Sequence, residues 1–155
     1  MFCVYGVSDT LRHKVACGLS YKANIVYQGE PHLTTDLLQG SCHCGTVKFE
    51  VRTAVTPATR CNCSMCRRKG ALMSPVFDAG ELKILSGEEA LTLYQFNMRV
   101  AKHYFCKHCG IYPFHQTRKD AQLWRVNIGC LEGVDPYTLE ATVADGASLS
   151  VVVDA

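Results

Sequence analysis

Seven cysteines in three short groups constrain this chain more than any other feature of its sequence. The groups are "CHC" at 42–44, "CNCSMC" at 61–66 and "CKHCG" at 106–110. A disulfide between Cys42 and Cys44 would close a small strained ring, far from relaxed bridge geometry. Thiols this close together are typical of metal ligands in a reducing compartment. The sequence therefore predicts a fold organised around bound metal.

A disulfide scaffold is the competing interpretation of ten cysteines in one chain. Such scaffolds belong to small secreted chains with an export signal. The N-terminal stretch "MFCVYGVSDTLRHK" lacks the basic start and long apolar run of such a signal. No apolar run reaches the ~18 residues that span a bilayer, so no membrane partner is expected. By elimination, the cytoplasm is the expected location.

Length and charge narrow the class of protein further. The 155 residues are enough for a single domain with a sizeable core of its own. A formal net charge of +2 gives little general attraction to nucleic acid, so a nucleic-acid partner is not expected.

The hydrophobic pattern from about Leu38 onward is that of a β-rich domain. "TVKFEV" (46–51) alternates apolar and polar residues, as a half-buried strand does. Further short strands are expected in "ALMSPVF", "LKILSG", "LTLYQF", "KHYFC" and "LWRVNIGCL", and "SLSVVV" is expected to close the sheet. We therefore predict one mainly β domain of antiparallel strands over residues 38–155, preceded by an N-terminal extension, residues 1–37, of uncertain structure.

The pattern makes two specific local predictions. In "LWRVNIGCL" the alternation places Trp124, Val126 and Ile128 inward and Arg125 and Asn127 outward. The polar stretch "PATRCNCSMCRRKGA" (57–71) is predicted to be a loop, with a short helical turn after Cys63.

Two of the cysteine groups can form one closed four-thiolate site. Tetrahedral zinc with Zn–S bonds of about 2.3 Å sets its sulfurs roughly 3.8 Å apart. Cys106 and Cys109 reach this distance in a tight turn closed by glycine, and Cys42 and Cys44 do so if the chain leaves extended geometry at Gly45. Zinc would then join two distant strand ends, the usual task of a structural site.

The third group, Cys61, Cys63 and Cys66, has three thiols and no obvious fourth ligand. Three protein ligands with an open position are the layout of a catalytic zinc. The alternative is a closed structural site in which a histidine, with His115 the best candidate, fills the fourth position. Spacing alone also leaves other pairings of the seven thiols open.

The type of ligand indicates the kind of chemistry. Three thiolates give zinc a net charge near −1 and weaken its ability to acidify water, so a hydrolase is not favoured. Such a metal is better suited to bind one more thiol in its deprotonated form and hold it as a nucleophile. The basic run Arg67, Arg68 and Lys69 could receive a substrate carboxylate, or could equally be a solvated loop.

The order of four motifs resembles a known family. The stretches "GSCHCGTVKFEV", "RCNCSMCRRKGA", "AKHYFCKHCGIY" and "VNIGCLEGVDP" are similar to those of the glutathione-dependent formaldehyde-activating enzymes, a family that includes the centromere protein V group. The resemblance runs from about Leu38 to the C-terminus and implies an Mss4-like (β-tent) fold built around zinc.

The resemblance also implies a reaction and roles for particular residues. The family reaction condenses glutathione with formaldehyde to S-(hydroxymethyl)glutathione, a carbon–sulfur lyase activity in formaldehyde detoxification. Two zinc ions are implied, a structural one on Cys42, Cys44, Cys106 and Cys109 and a catalytic one on Cys61, Cys63 and Cys66. Glutathione or another small thiol would bind at the second, with His115 and Arg67 as candidate glutathione contacts and donors to the developing alkoxide.

Two other classes of function remain open at this stage. The chain could be a non-catalytic zinc-stabilised module that binds protein or nucleic acid, because ligand retention alone fits such a module. It could also be a redox or metal-buffering protein, in which case zinc should leave readily and the three thiols of the second group should oxidise together.

Overall fold

The computed structural model describes residues 35–148, and within them strands dominate. The strands are β1 (Asp36–Ser41), β2 (Lys48–Thr53), β3 (Ala58–Cys61), β4 (Phe77–Asp78), β5 (Leu82–Ser86), β6 (Leu91–Tyr94), β7 (Lys102–Cys106), β8 (Phe114–Gln116), β9 (Leu123–Val126) and β10 (Ala141–Ala144). One short helix, α1 (Cys66–Lys69), and 3-10 turns at Ala79–Glu81, Glu88–Ala90 and Ile128–Cys130 complete the described elements. The prediction of a mainly β domain is confirmed.

The strands form three sheets. An antiparallel sheet has the order β1-β2-β5, and a second antiparallel sheet has the order β4-β9-β8-β7-β6. The third is a two-stranded pair in which β10 runs parallel to β3. Met73 bridges this pair to the five-stranded sheet, because it pairs with both Thr59 and Asn127. The expectation of antiparallel strands throughout is therefore wrong for β3 and β10.

The main core lies between the first two sheets. Phe49 and Val51 of β2 are fully buried against Phe114 of β8 and Val126 of β9. The rings of Phe49 and Phe114 meet edge to face, with their centroids 5.5 Å apart. The alternation seen in "TVKFEV" thus becomes β2, whose apolar face covers the larger sheet.

Other local predictions have mixed outcomes. Residues 57–71 contain β3 where a loop was predicted, and the expected helical turn is α1. Val126 and Ile128 face inward as expected, and Trp124 packs against the core from a half-buried position. The predicted strand "SLSVVV" lies outside the described residues, except for Ser148. None of the helices within 35–148 is long and apolar enough to cross a membrane.

Candidate metal centres and the adjoining cavity

The four-thiol group is built from two similar turns. In the first, the amide of Cys42 donates to the carbonyl of Val47 (3.0 Å), and the amide of Gly45 donates to the carbonyl of Cys42 (2.9 Å). In the second, the amides of Cys106 and Gly110 make the corresponding bonds to Ile111 (2.9 Å) and to Cys106 (2.8 Å). Both glycines have a positive φ, 74° and 71°, which a residue with a side chain rarely adopts.

These turns bring four sulfur atoms together at the junction of two sheets. The Sγ atoms of Cys42, Cys44, Cys106 and Cys109 all lie within 4.8 Å of one another. The Cys42–Cys44 and Cys44–Cys106 sulfur distances are 3.5 and 3.7 Å, too long for a disulfide and close to the roughly 3.8 Å of tetrahedral zinc thiolate. The donor set therefore fits a zinc ion.

The surroundings of the four-thiol group suit a structural site. Cys42 and Cys106 are buried with Val47 and Ala90 in a small apolar cluster beside the main core. Burial raises the pKa of Cys42 to about 11, while the amide of Val47, which donates to its sulfur (3.3 Å), acts to lower it. Cys44 is exposed and Cys109 is half-buried, so the closed character of this site rests on its four thiols, which would fill the tetrahedral coordination of a zinc ion.

The three-thiol group is built differently. Cys61 ends β3, Cys63 lies in the following turn and Cys66 begins α1, and their sulfurs lie within 4.8 Å of one another. The amide of Cys66 donates to the sulfur of Cys63 (3.3 Å). Burial acts to raise the pKa of Cys63, but hydrogen bonds from the Cys66 amide and the neighbouring thiols outweigh burial and lower it.

Burial, by contrast, raises the pKa of Cys66 to about 12. This sulfur therefore becomes a thiolate near pH 7 only against a strong positive charge, which a divalent metal would supply. The residues fit a zinc ion with three protein ligands. His115, considered above as a fourth ligand, is not part of this group within residues 35–148.

Gly146 packs directly on the three-thiol group. A Cβ atom added to this glycine would overlap the sulfur of Cys61 and lie 3.0 Å from the Cβ of Cys63. The side chain of Asn62 fixes this approach, because its Nδ2 donates to Oδ1 of Asp145 (3.0 Å) and its Oδ1 accepts from the amide of Ala147 (2.7 Å). Sequence reasoning missed this contact, since a single glycine after an aspartate carries no distinctive signal.

A cavity of about 590 Å³ opens beside the three-thiol group. Cys61 and Cys63 form part of its wall, whereas Cys66 and the four cysteines of the other group are not among its lining residues. The other lining residues are Val76, Phe96, Asn97, Met98, Val100, Ala101, His103, His115, Thr117, Arg118, Lys119, Leu123, Arg125, Ala144, Asp145 and Gly146. The volume lies within the range of roughly 300–1,000 Å³ that is usual for small-molecule sites.

Two histidines of the cavity wall belong to a stack of rings. The ring of His103 lies 5.5 Å from that of His115 and 5.6 Å from that of Phe96. Burial lowers the pKa of His103 to about 4 and lowers that of His115 well below its usual range, helped in both by the charge of Lys69. Both imidazoles are therefore neutral near pH 7.

Lys69 determines which nitrogen of His103 carries its proton. The ammonium of Lys69 lies over the ring of Tyr112, 3.2 Å from the centroid, and 3.4 Å from Nδ1 of His103. The hydroxyl of Tyr112 is 3.0 Å from the same Nδ1. Because an ammonium only donates, Nδ1 accepts and the neutral ring carries its hydrogen on Nε2. Burial lowers the pKa of Lys69 to about 8, and the three nearby thiols act to raise it.

The two predicted glutathione contacts lie in different places. His115, on β8, lines the cavity, and its Nδ1 is buried without a hydrogen-bond partner among the described residues. Arg67 is exposed on α1 and is not one of the lining residues. The roles of both in binding stay predictions.

The β sheets and the two thiol groups define a class of protein, the Mss4-like domains with cysteine clusters that could hold metal ions. A family model described as "Glutathione-dependent formaldehyde-activating enzyme" matches residues 37–144. The chain belongs to this family, as the four motifs indicated.

Individual relatives agree with this assignment. A Halomonas elongata protein named "Putative glutathione-dependent formaldehyde-activating enzyme" is 35% identical over 83 residues, which are 48% of this chain and 52% of the relative. The chain thus spans about half the length of this curated relative. The crystal structure of a Rhodobacter sphaeroides protein superposes with a TM-score of 0.63 at 44% identity, covering 67% of this chain and 99% of that one.

Proposed function

We propose that this protein is a zinc-dependent enzyme that condenses glutathione, or a similar small thiol, with formaldehyde or another small aldehyde. The product with formaldehyde is S-(hydroxymethyl)glutathione, and the proposed activity belongs to the carbon–sulfur lyases. The observation that carries the proposal is the contrast between the two thiol groups. One has four thiols, enough to fill a tetrahedral zinc site, and the other has three and lines a cavity of ligand size.

The proposed roles of the cysteines follow from this contrast. Cys42, Cys44, Cys106 and Cys109 would hold a structural zinc, and Cys61, Cys63 and Cys66 would hold a second zinc at the cavity. When bound there, zinc supplies a position at which an incoming thiol loses its proton near neutral pH.

The chemistry is an addition in which atoms and charge balance. The sulfur forms a bond to the carbonyl carbon, the π pair of the carbonyl moves onto its oxygen, and that oxygen takes up a proton equivalent to the one the thiol lost. The cavity holds thiol and aldehyde side by side, which lowers the entropic part of the barrier. Nε2–H of His103 and the neutral ring of His115 are the candidate donors to the developing alkoxide.

The test is a comparison of rates, because glutathione and formaldehyde also combine unaided. Exchange NMR measures interconversion of the free and condensed forms at equilibrium, with and without the zinc-loaded full chain. We expect catalytic amounts of protein to raise the exchange rate several-fold, and Cys63→Ser to return it to background. An exchange rate equal to background with the intact protein would favour the non-catalytic binding module instead.

A further inference from the structure

The charges around the cavity do not balance within the described residues. Arg118, Lys119 and Arg125 line it against one carboxylate, that of Asp145, which accepts a hydrogen bond from Asn62. The lining histidines add no charge near pH 7, because their pKa values are low. An anionic ligand therefore meets a net positive wall next to the three-thiol group.

Arg125 differs from the other two cations in its position and burial. Arg118 and Lys119 are exposed in the turn between β8 and β9, whereas Arg125 is half-buried within β9 itself. Its Nη1 donates to the carbonyl of Ser74 (3.0 Å), and it pairs across the strands with His115. The guanidinium is thus held in one place in the cavity wall.

The partners of Arg125 leave room for an anion. Among residues 35–148, neither the Arg52–Glu81 nor the Lys83–Glu50 ion pair involves it, and its hydrogen bond to Ser74 uses one of five N–H donors. Burial lowers the pKa of Arg125, and Cys61 and Cys66 of the three-thiol group lie close enough to act in the opposite direction. The sequence pattern had assigned this side chain to the solvent face of β9.

We propose that Arg125 anchors a carboxylate of the thiol substrate, so that the site selects thiols that carry a carboxylate over neutral thiols of equal length. This inference rests on the proposed function, since it takes the three-thiol group as the place where the sulfur binds. A guanidinium binds a carboxylate through two parallel N–H···O bonds, and partial burial strengthens them. Sulfur and carboxylate together fix the orientation of the thiol.

Two small thiols of matched length test the anchor. 3-Mercaptopropionate and 3-mercaptopropionamide differ only in whether the chain ends in a carboxylate or a neutral amide. Titration calorimetry with the zinc-loaded full chain gives the ratio of their dissociation constants. We expect about 10-fold tighter binding of the carboxylate, the order expected of a charge-assisted bidentate pair. Arg125→Gln should bring the ratio close to 1.

Two further variants keep the result unambiguous. Arg60→Gln removes an exposed guanidinium that bonds the carbonyl of Gly70 and does not line the cavity, so the ratio should be retained. Arg125→Lys keeps the positive charge but loses the two parallel N–H donors of the guanidinium, so the ratio should fall at least threefold. If Arg125→Gln does not fold, the ratio of the two dissociation constants in Arg125→Lys is the test of the anchor.

The outcome separates the anchor from the proposed function. An equal affinity of the intact protein for both thiols, or an unchanged ratio in the Arg125 variants, overturns the anchor even if formaldehyde exchange is accelerated. A carboxylate preference that depends on Arg125, together with exchange at background rate, supports the anchor and rejects the enzyme.

Discussion

At the scale of single residues, Gly146 determines how closely the turn after β10 (residues 145–148, here called the C-terminal turn) approaches the three-thiol group. We expect Gly146→Ala to displace Cys61 or the turn, because the new Cβ would overlap the sulfur atom. The protein should stay folded and lose about one of its two proposed zinc equivalents, or bind that zinc at least 10-fold more weakly. Metal analysis after dialysis against a mild chelator measures this loss.

Gly80→Ala is the matched control for this substitution. A Cβ at Gly80 meets no atom within 4 Å, and its φ is not in the left-handed region. Its zinc content should equal that of the unchanged chain. Full zinc retention in Gly146→Ala would show that the turn does not pack on the cysteines as described.

The sequence identified the candidate metal ligands, because metal-binding cysteines have characteristic spacings. Their short spacings indicated that the seven clustered cysteines bind metal, and the family resemblance implied the division into four and three, which matches the two groups of sulfurs in the structure. Arg125 could not be assigned correctly, because alternation distinguishes the two faces of a strand and does not tell whether the polar face meets solvent or a cavity.

At the scale of elements, the pairing of β3 and β10 holds the C-terminal turn over the cysteines. Asn62 supports this pairing with side-chain bonds to Asp145 and Ala147 and a backbone bond to Ala144 (3.2 Å). We expect Asn62→Ala to cost about 1 kcal/mol, since these side-chain bonds are exposed. Hydrogen exchange at the Ala147 amide should be faster, while amides of β2 stay protected. Unchanged exchange at Ala147 would contradict this account of the turn.

The contact between the two larger sheets depends on Phe49. Its ring is fully buried, packs edge to face on Phe114 and leaves no space for a side chain at Gly40. Phe49→Ala should lower the free energy of unfolding by about 3–5 kcal/mol through lost burial and the cavity left behind. Leu85→Ala, at a side chain that is 45% exposed, should cost much less. Denaturant titration of both variants makes the comparison.

Elements with an alternating pattern could be predicted, and those without one could not. β2 was found because Val47, Phe49 and Val51 are buried on one face. β10 was missed because all four of its residues are exposed, so its sequence shows no buried face. β3 was missed because Ala58 is its only buried residue, which gives no alternating pattern, and because its parallel partner lies far along the chain.

At the scale of the whole molecule, the two thiol groups should differ in what they stabilise. Cys42 and Cys44 follow β1, whereas Cys106 ends β7, so the four-thiol site joins the three-stranded and five-stranded sheets. Cys106→Ser should therefore remove the structural zinc and unfold the domain, because metal binding and folding are coupled at such sites. Circular dichroism and zinc content measure both effects.

Cys63→Ser is the matching change in the other group. It should leave the strands intact, lower the zinc content by one equivalent and abolish acceleration of the glutathione–formaldehyde exchange. If Cys63→Ser unfolds the domain as Cys106→Ser does, the division into a structural and an open site is wrong.

The most direct test of the open site is a cobalt(II) titration with glutathione. Cobalt(II) replaces zinc in thiolate sites and reports the number of bound sulfurs through its charge-transfer and ligand-field absorption. On adding glutathione, we expect a gain of sulfur-to-cobalt absorption at the three-thiol site, saturating at one glutathione per chain and absent in Cys63→Ser. A spectrum that glutathione leaves unchanged would mean that the three-thiol site has no position for an incoming sulfur, and would contradict the account.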